Sequence, residues 1–151
     1  MHVIVDTREK INWDFTVYNI TQESKKLTAG DYSLLGYEKS ISIERKRSTG
    51  EIYNNLFKDF KVFKNELAIL KDYKVKYIIC EFPMANIYTF PERSTIPKYL
   101  WSKLKCSSKL FSAKIEEVSS TYEIPFLFCT SPIDAQQKAF YILKEFYESV
   151  K

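Results

Sequence analysis

The hydrophobic period of this chain first changes at Gly50, and that change limits the folds open to it. Upstream, apolar residues come in short runs or alternate. Val3, Ile4 and Val5 form a β-branched run that ends at Asp6, and residues 30–35 (Gly-Asp-Tyr-Ser-Leu-Leu) give a second run. Residues 41–46 (Ile-Ser-Ile-Glu-Arg-Lys) alternate at period two. These predict three strands, the second and third forming a hairpin across a turn at residues 36–39. Downstream, Ile52, Leu56, Phe60, Phe63, Leu67 and Leu70 recur at three- and four-residue steps, which predicts one long helix. Residues 77–82 are nearly all apolar and predict a central strand. Residues 83–104, with Pro83, Pro91 and Pro97, read as irregular, and Phe111, Ile115, Val118 and Tyr122 mark a second helix. A fifth strand is expected over 124–130. A last helix then opens with Ser131 as N-cap, Pro132 in the first turn and Asp134 as the capping acid, with a stripe through Ala139, Ile142, Leu143, Phe146 and Val150. The order β-β-β-α-β-α-β-α predicts an α/β fold, a mixed sheet with helices on both faces.

All three glycines, Gly30, Gly36 and Gly50, lie in the first third, and no linker, repeat or low-complexity tract divides the chain, so residues 1–151 are expected to form a single domain. At 45% hydrophobic and 28% charged residues the composition is that of a globular protein rather than a disordered one. No apolar run approaches the ~18 residues of a membrane span, and Asp6 comes too early for a secretory signal. Cys80, Cys106 and Cys129 are odd in number and widely spaced, which suits reduced thiols in a cytosol-like compartment and neither a disulfide framework nor a zinc site. The single histidine, His2, excludes a His-based triad or a His metal cluster. Chemistry here has to run on carboxylates, lysines and hydroxyls. The net charge of +4 is nearly all lysine, and three of the four arginines (Arg8, Arg45, Arg47) lie beside acidic motifs.

The acidic motifs fall on the predicted hairpin. Glu44 and Lys46 are two apart on a strand and leave one face, while Ile41, Ile43 and Arg45 leave the other. With the isoleucine face in the core, Glu44 and Lys46 are free to meet Asp31 from the preceding strand, and Asp6 can join them. Phosphodiester hydrolysis needs a divalent cation held by carboxylate oxygens with room for phosphate and water. Mg²⁺ favours one or two carboxylates plus waters, and a neighbouring lysine can orient the water or hold the phosphate. The pattern Asp-x(12)-Glu-x-Lys supplies this set. The spacing alone also suits a surface hairpin with a cross-strand Glu–Lys pair.

The longer string is more specific. Residues 3–9 (Val-Ile-Val-Asp-Thr-Arg-Glu), 30–32 (Gly-Asp-Tyr) and 43–46 (Ile-Glu-Arg-Lys) resemble the nuclease domain of the XPF-type structure-specific endonucleases, part of the PD-(D/E)xK restriction-endonuclease-like superfamily. Residues 61–67, 78–82 and 124–132 resemble that family's basic helix, next strand and final strand with helix start. The likeness is greatest to a compact single-domain form such as phage members have, with no helix-hairpin-helix or helicase module. The resemblance implies a Mg²⁺-dependent endonuclease, with Mn²⁺ as substitute, acting on branched or flapped double-stranded DNA in repair or recombination. By the same resemblance Asp31 and Glu44 are metal ligands, Lys46 is the catalytic lysine, and Asp6 is a further acid near the metal. Arg8 and Arg45 support the site or bind phosphate, Arg47 belongs to the DNA-binding set, and Glu9 matches without a role. The family commonly has an aspartate four residues after the lysine. Here that place is Gly50, and Glu51 follows as the available replacement.

Lys58, Lys61 and Lys64 read either as phosphate contacts or as a solvated helix face. Residues 98–105 interleave aromatic and basic residues and read either as a wedge at a DNA junction or as a loop packed on the core. Glu81 ends a predicted strand and either approaches the metal or faces solvent, while Cys80 and Cys129 are expected in the core. Family resemblance implies a homodimer, with Phe140, Tyr141 and Tyr147 compatible with the interface, and a targeting partner is open. A bacterial or virus-infected cytoplasm is expected rather than a nucleus. Two other readings stand beside the enzyme: a weak or inactive subunit that positions a partner nuclease, and a lysine-rich DNA-binding module without chemistry.

Overall fold

The structure, a computed structural model, describes residues 1–104 and 106–151. Six strands form one mixed sheet: β1 (His2–Val5), β2 (Thr21–Ser24), β3 (Tyr32–Leu34), β4 (Ile41–Lys46), β5 (Val75–Cys80) and β6 (Phe126–Phe128). Their spatial order is β2-β1-β3-β4-β5-β6. The antiparallel β1–β3–β4 meander, with Tyr32 opposite Ile43, contains the expected hairpin. Parallel pairs β1–β2, β4–β5 and β5–β6 extend it on both sides.

The helices are α1 (Thr49–Tyr53), α2 (Phe60–Lys71), α3 (Ala85–Tyr88), α4 (Ser108–Tyr122) and α5 (Pro132–Val150). One sheet face packs against α5, around Ile41, Ile43, Ile79, Ala139, Leu143 and Phe146. The opposite face packs against α1, α2 and α4, around Ile52, Leu56, Phe63, Leu67, Ile78 and Phe111. Helices thus cover both faces, as the element order predicts. The start of α5 is as expected: the Ser131 hydroxyl accepts from the Asp134 N–H at 3.1 Å, and Asp134 accepts from the Thr130 N–H at 2.9 Å.

Three expectations need correction. Strand β2 was not foreseen because its residues (Thr-Gln-Glu-Ser) are polar and mostly exposed at a sheet edge; only Gln22 is tied inward, accepting from the Phe15 N–H and donating to the Trp13 carbonyl. The expected single helix over 52–70 is two helices joined by a π-helical turn (Asn54–Lys58), with Asp59 leaving helical geometry at φ −115°, ψ 35°. Strand β4 is buried on both faces, so Glu44 and Lys46 do not stand on an open surface. Cys80 and Cys129 are buried and Cys106 is half-buried, all as free thiols. No helix among the described residues is long and apolar enough to cross a membrane.

Candidate active site

Gly30 starts the site. Its φ is +82°, and a Cβ there would fall 1.8 Å from the Ser42 hydroxyl, so only glycine fits this approach of β3 to β4. The next residue, Asp31, is clamped between neighbouring strands: its N–H donates to the Ile43 carbonyl and its carbonyl accepts from the Asp6 N–H, each at 2.8 Å. Its carboxylate accepts from the Arg45 N–H at 2.7 Å. Strand alternation sends Glu44 and Lys46 to the face covered by α2, where the Lys46 ammonium donates to Glu44 at 2.8 Å and lies 3.9 Å from Glu51. Glu44 is also within hydrogen-bonding reach of both Asp31 and Glu66. Glu66, from α2, accepts from the Gly30 N–H at 3.1 Å. An open cleft of about 360 Å³ is lined by Glu44, Lys46, Asn55, Asp59, Phe63 and Glu66, with Val62 at its side.

These groups cannot all be ionised independently. Burial, then the charges of Glu44 and Glu9, push the Asp31 carboxyl well above its ordinary value. Burial and the Glu44 charge push Glu66 to about 8. Glu44 is itself raised by burial, but the Lys46 ammonium and hydrogen bonds from Glu66, Lys46 and Asp31 outweigh this and hold it low. Lys46 is raised: burial opposes its charge, and Glu44, Glu51 and Asp31 restore it. The cluster therefore favours a carboxylate at Glu44 and an ammonium at Lys46, while the charged forms of Asp31 and Glu66 are disfavoured.

Asp6 is satisfied without an ion. Its carboxylate accepts from the backbone N–H groups of Leu27 and Arg8 at 2.8 and 3.1 Å and from the Arg8 guanidinium at 2.7 Å. It thereby anchors Arg8, whose side chain is mostly exposed and whose charge is felt by Asp31 and Glu66. Arg45 does not fit the expected DNA contact. It leaves the α5 side of the sheet, is buried, lies 4.9 Å from the Trp13 ring and pairs with Glu81 and Glu9. Glu81 consequently neither approaches the acidic cleft nor faces solvent; it is buried between Arg45 and the Trp13 indole N–H, which donates to it at 2.7 Å. Arg47, Lys58, Lys61 and Lys64 are exposed, the lysines on the π-helical turn and α2 that wall the cleft. In the basic aromatic segment, Lys105 lies outside the described residues.

Glu66 and Asn55 were not foreseen. A signal for Glu66 exists: it falls three after Phe63 and four before Leu70, a charged residue inside an apolar stripe. Asn55 falls three after Ile52 in the same way, and its buried side-chain oxygen has no hydrogen-bond partner.

Among the described residues no three His, Cys, Asp or Glu side chains form a ready cage for a metal. Mg²⁺ does not require one, since one or two carboxylates and several waters complete its octahedron. Asp31 and Glu44 are two carboxylates within reach of one another. A mutually repelling buried carboxyl cluster and the orphaned Asn55 oxygen beside it are chemistry a divalent cation with bound water would satisfy.

No protein-family model matches the chain, and no curated protein does. Solved structures do. The chain is similar to XPF from Aeropyrum pernix, with a TM-score of 0.68 and 20% identity over 97% of this chain and 65% of that one. It is equally similar to the same protein in complex with DNA, with TM-score 0.68 and 20% identity over 98% and 66% of the two chains. The chain spans just under two thirds of their length. At this identity the likeness establishes the fold, a restriction-endonuclease-like sheet of the XPF kind.

Proposed function

We propose that the chain is a metal-dependent endonuclease that hydrolyses phosphodiester bonds in branched or flapped DNA. One observation carries this reading: Glu44 and Lys46 line an open cleft whose wall bears exposed lysines, and Asp31, just ahead of β3, reaches the same Glu44 carboxylate. The DNA-bound XPF neighbour supports nucleic acid as the ligand of this fold.

Asp31 and Glu44 would hold Mg²⁺ or Mn²⁺, which supplies charge stabilisation at the phosphate and a more acidic water. Glu44, Glu51 and Asp31 favour the ammonium form of Lys46, which would act as a positive charge that orients a phosphate oxygen or the attacking water. Glu66 keeps a proton near neutral pH and donates it in a hydrogen bond toward Glu44, holding that carboxylate in place. Asp6 holds Arg8, mostly exposed and within electrostatic range of Asp31 and Glu66, where the guanidinium would take a neighbouring phosphate. Glu51, 3.9 Å from Lys46, occupies the role left open at Gly50. The same reading includes a homodimer through the later helices, where Leu110 and Tyr141 are exposed. It also includes a cytosol-like setting consistent with three free thiols.

The test compares a 3′ flap, a fork, a four-way junction and a linear duplex with wild-type protein and Asp31→Ala, in Mg²⁺, Mn²⁺ and EDTA. Cutting of a branched substrate that needs both metal and Asp31 is the expected result. Preserved binding without cutting of any substrate would instead favour a non-catalytic subunit.

A further inference from the structure

Residues 91–104 take no part in the cleft chemistry, yet they are firmly built. Ile96 and Leu104 pack on the core at either end of a 3₁₀ turn (Lys98–Lys103). Within it the Trp101 indole N–H donates to the Ile96 carbonyl at 3.0 Å, and Leu100 and Leu104 N–H groups donate to Pro97 and Trp101 carbonyls. This turn leaves Tyr99 78% exposed, more than any other large apolar side chain among the described residues. A ring so far out contributes nothing to the core. Arg93, Lys98 and Lys103 are exposed in the same segment.

The segment rests on the helix that follows β4. A Cβ on Gly50 would meet Thr95 Oγ1 at 3.3 Å and Ile96 Cγ1 at 3.6 Å, so its base lies on the first turn of α1. The next residue in that turn is Glu51, which reaches Lys46.

We infer that Tyr99 is a stacking platform for an unpaired base of the DNA entering the cleft, with Lys98 and Lys103 taking the flanking phosphates. This rests on the nuclease reading and deepens it. Every base has a π-face, so a fixed aromatic ring beside basic residues binds single strands with little regard to sequence. Bases within a duplex are already stacked on their neighbours. Such a platform therefore selects a branch over a linear duplex without an element that reads a groove.

The decisive experiment measures affinity by fluorescence anisotropy in EDTA, where no cutting occurs. Its probes are a splayed duplex with thymidine arms of about ten nucleotides and a blunt duplex of the same paired length. Tyr99→Ala should weaken binding to the splayed probe by about fivefold or more, leave the blunt probe unaffected, and be rescued by Tyr99→Phe. A 2-aminopurine at the first unpaired position should be quenched by wild type and Tyr99→Phe, and not by Tyr99→Ala. Equal affinity of wild type and Tyr99→Ala for the splayed probe would overturn the inference, as would equal losses on both probes. Absence of binding to either probe would overturn the DNA reading with it. Tyr99-dependent binding without metal-dependent cutting would retain the platform and remove the nuclease.

Discussion

Holding Glu44 within hydrogen-bonding reach of both Asp31 and Glu66 costs the fold stability whenever more than one of the three is ionised. Glu66 makes the cost measurable. Its carboxyl titrates near 8 in the folded chain, up from 4.5, so its contribution is fully present below about pH 4.5 and is lost as pH rises through 8. Glu66→Gln should flatten that decline, with a higher Tm than wild type at pH 8 and little difference at pH 5. Added Mg²⁺ should raise the wild-type Tm at pH 8, because an ion that binds only the folded state stabilises it by mass action. Arg45 makes the opposite case, a charge buried for structure. Arg45→Met leaves Glu81 and Glu9 without their guanidinium and should cost about 3–5 kcal/mol in urea unfolding. Its DNA affinity in EDTA should match wild type wherever the variant is folded. A selective loss of affinity at unchanged stability would restore Arg45 to the DNA surface.

Among the elements, β4 does most to position the site. Its alternation was legible in the sequence, since Ile41 and Ile43 leave one face and Glu44 and Lys46 the other, and the structure keeps that division. That both faces are buried was not legible, because strand period reports which residues share a face and not what covers it. Strand β2 escaped notice because a polar edge strand carries no hydrophobic pattern. The break after α1 was hidden for a different reason: the stripe from Ile52 to Leu70 continues through the π-helical turn, and only Asn54, Asn55 and Asp59, poor helix formers, mark it. The hairpin depends on one residue. Gly30→Ala forces an L side chain into φ +82° and against Ser42, and should cost more than about 2 kcal/mol. A loss below about 0.5 kcal/mol would show that the β3–β4 approach is looser than described.

At the scale of the molecule, the cleft wall carries Lys58, Lys61 and Lys64 outward while Asn55, Asp59 and Glu66 line the cleft, which sets exposed positive charge beside acidic groups. Replacing the three lysines by glutamine should reduce the slope of log K against log salt by roughly 0.9 for each one that holds a phosphate, equally for all DNA shapes. An unchanged slope would make them a solvated face only. The central claim is that Asp31 and Glu44 form the metal-binding pair of a nuclease. Its most direct measurement is single-turnover cleavage of a 3′-flap duplex by wild type and Asp31→Ala at saturating protein, with Mg²⁺ and with EDTA. The account predicts cutting only by wild type in Mg²⁺, with DNA affinity of the variant intact. Equal cutting by both proteins, or cutting in EDTA, would contradict it.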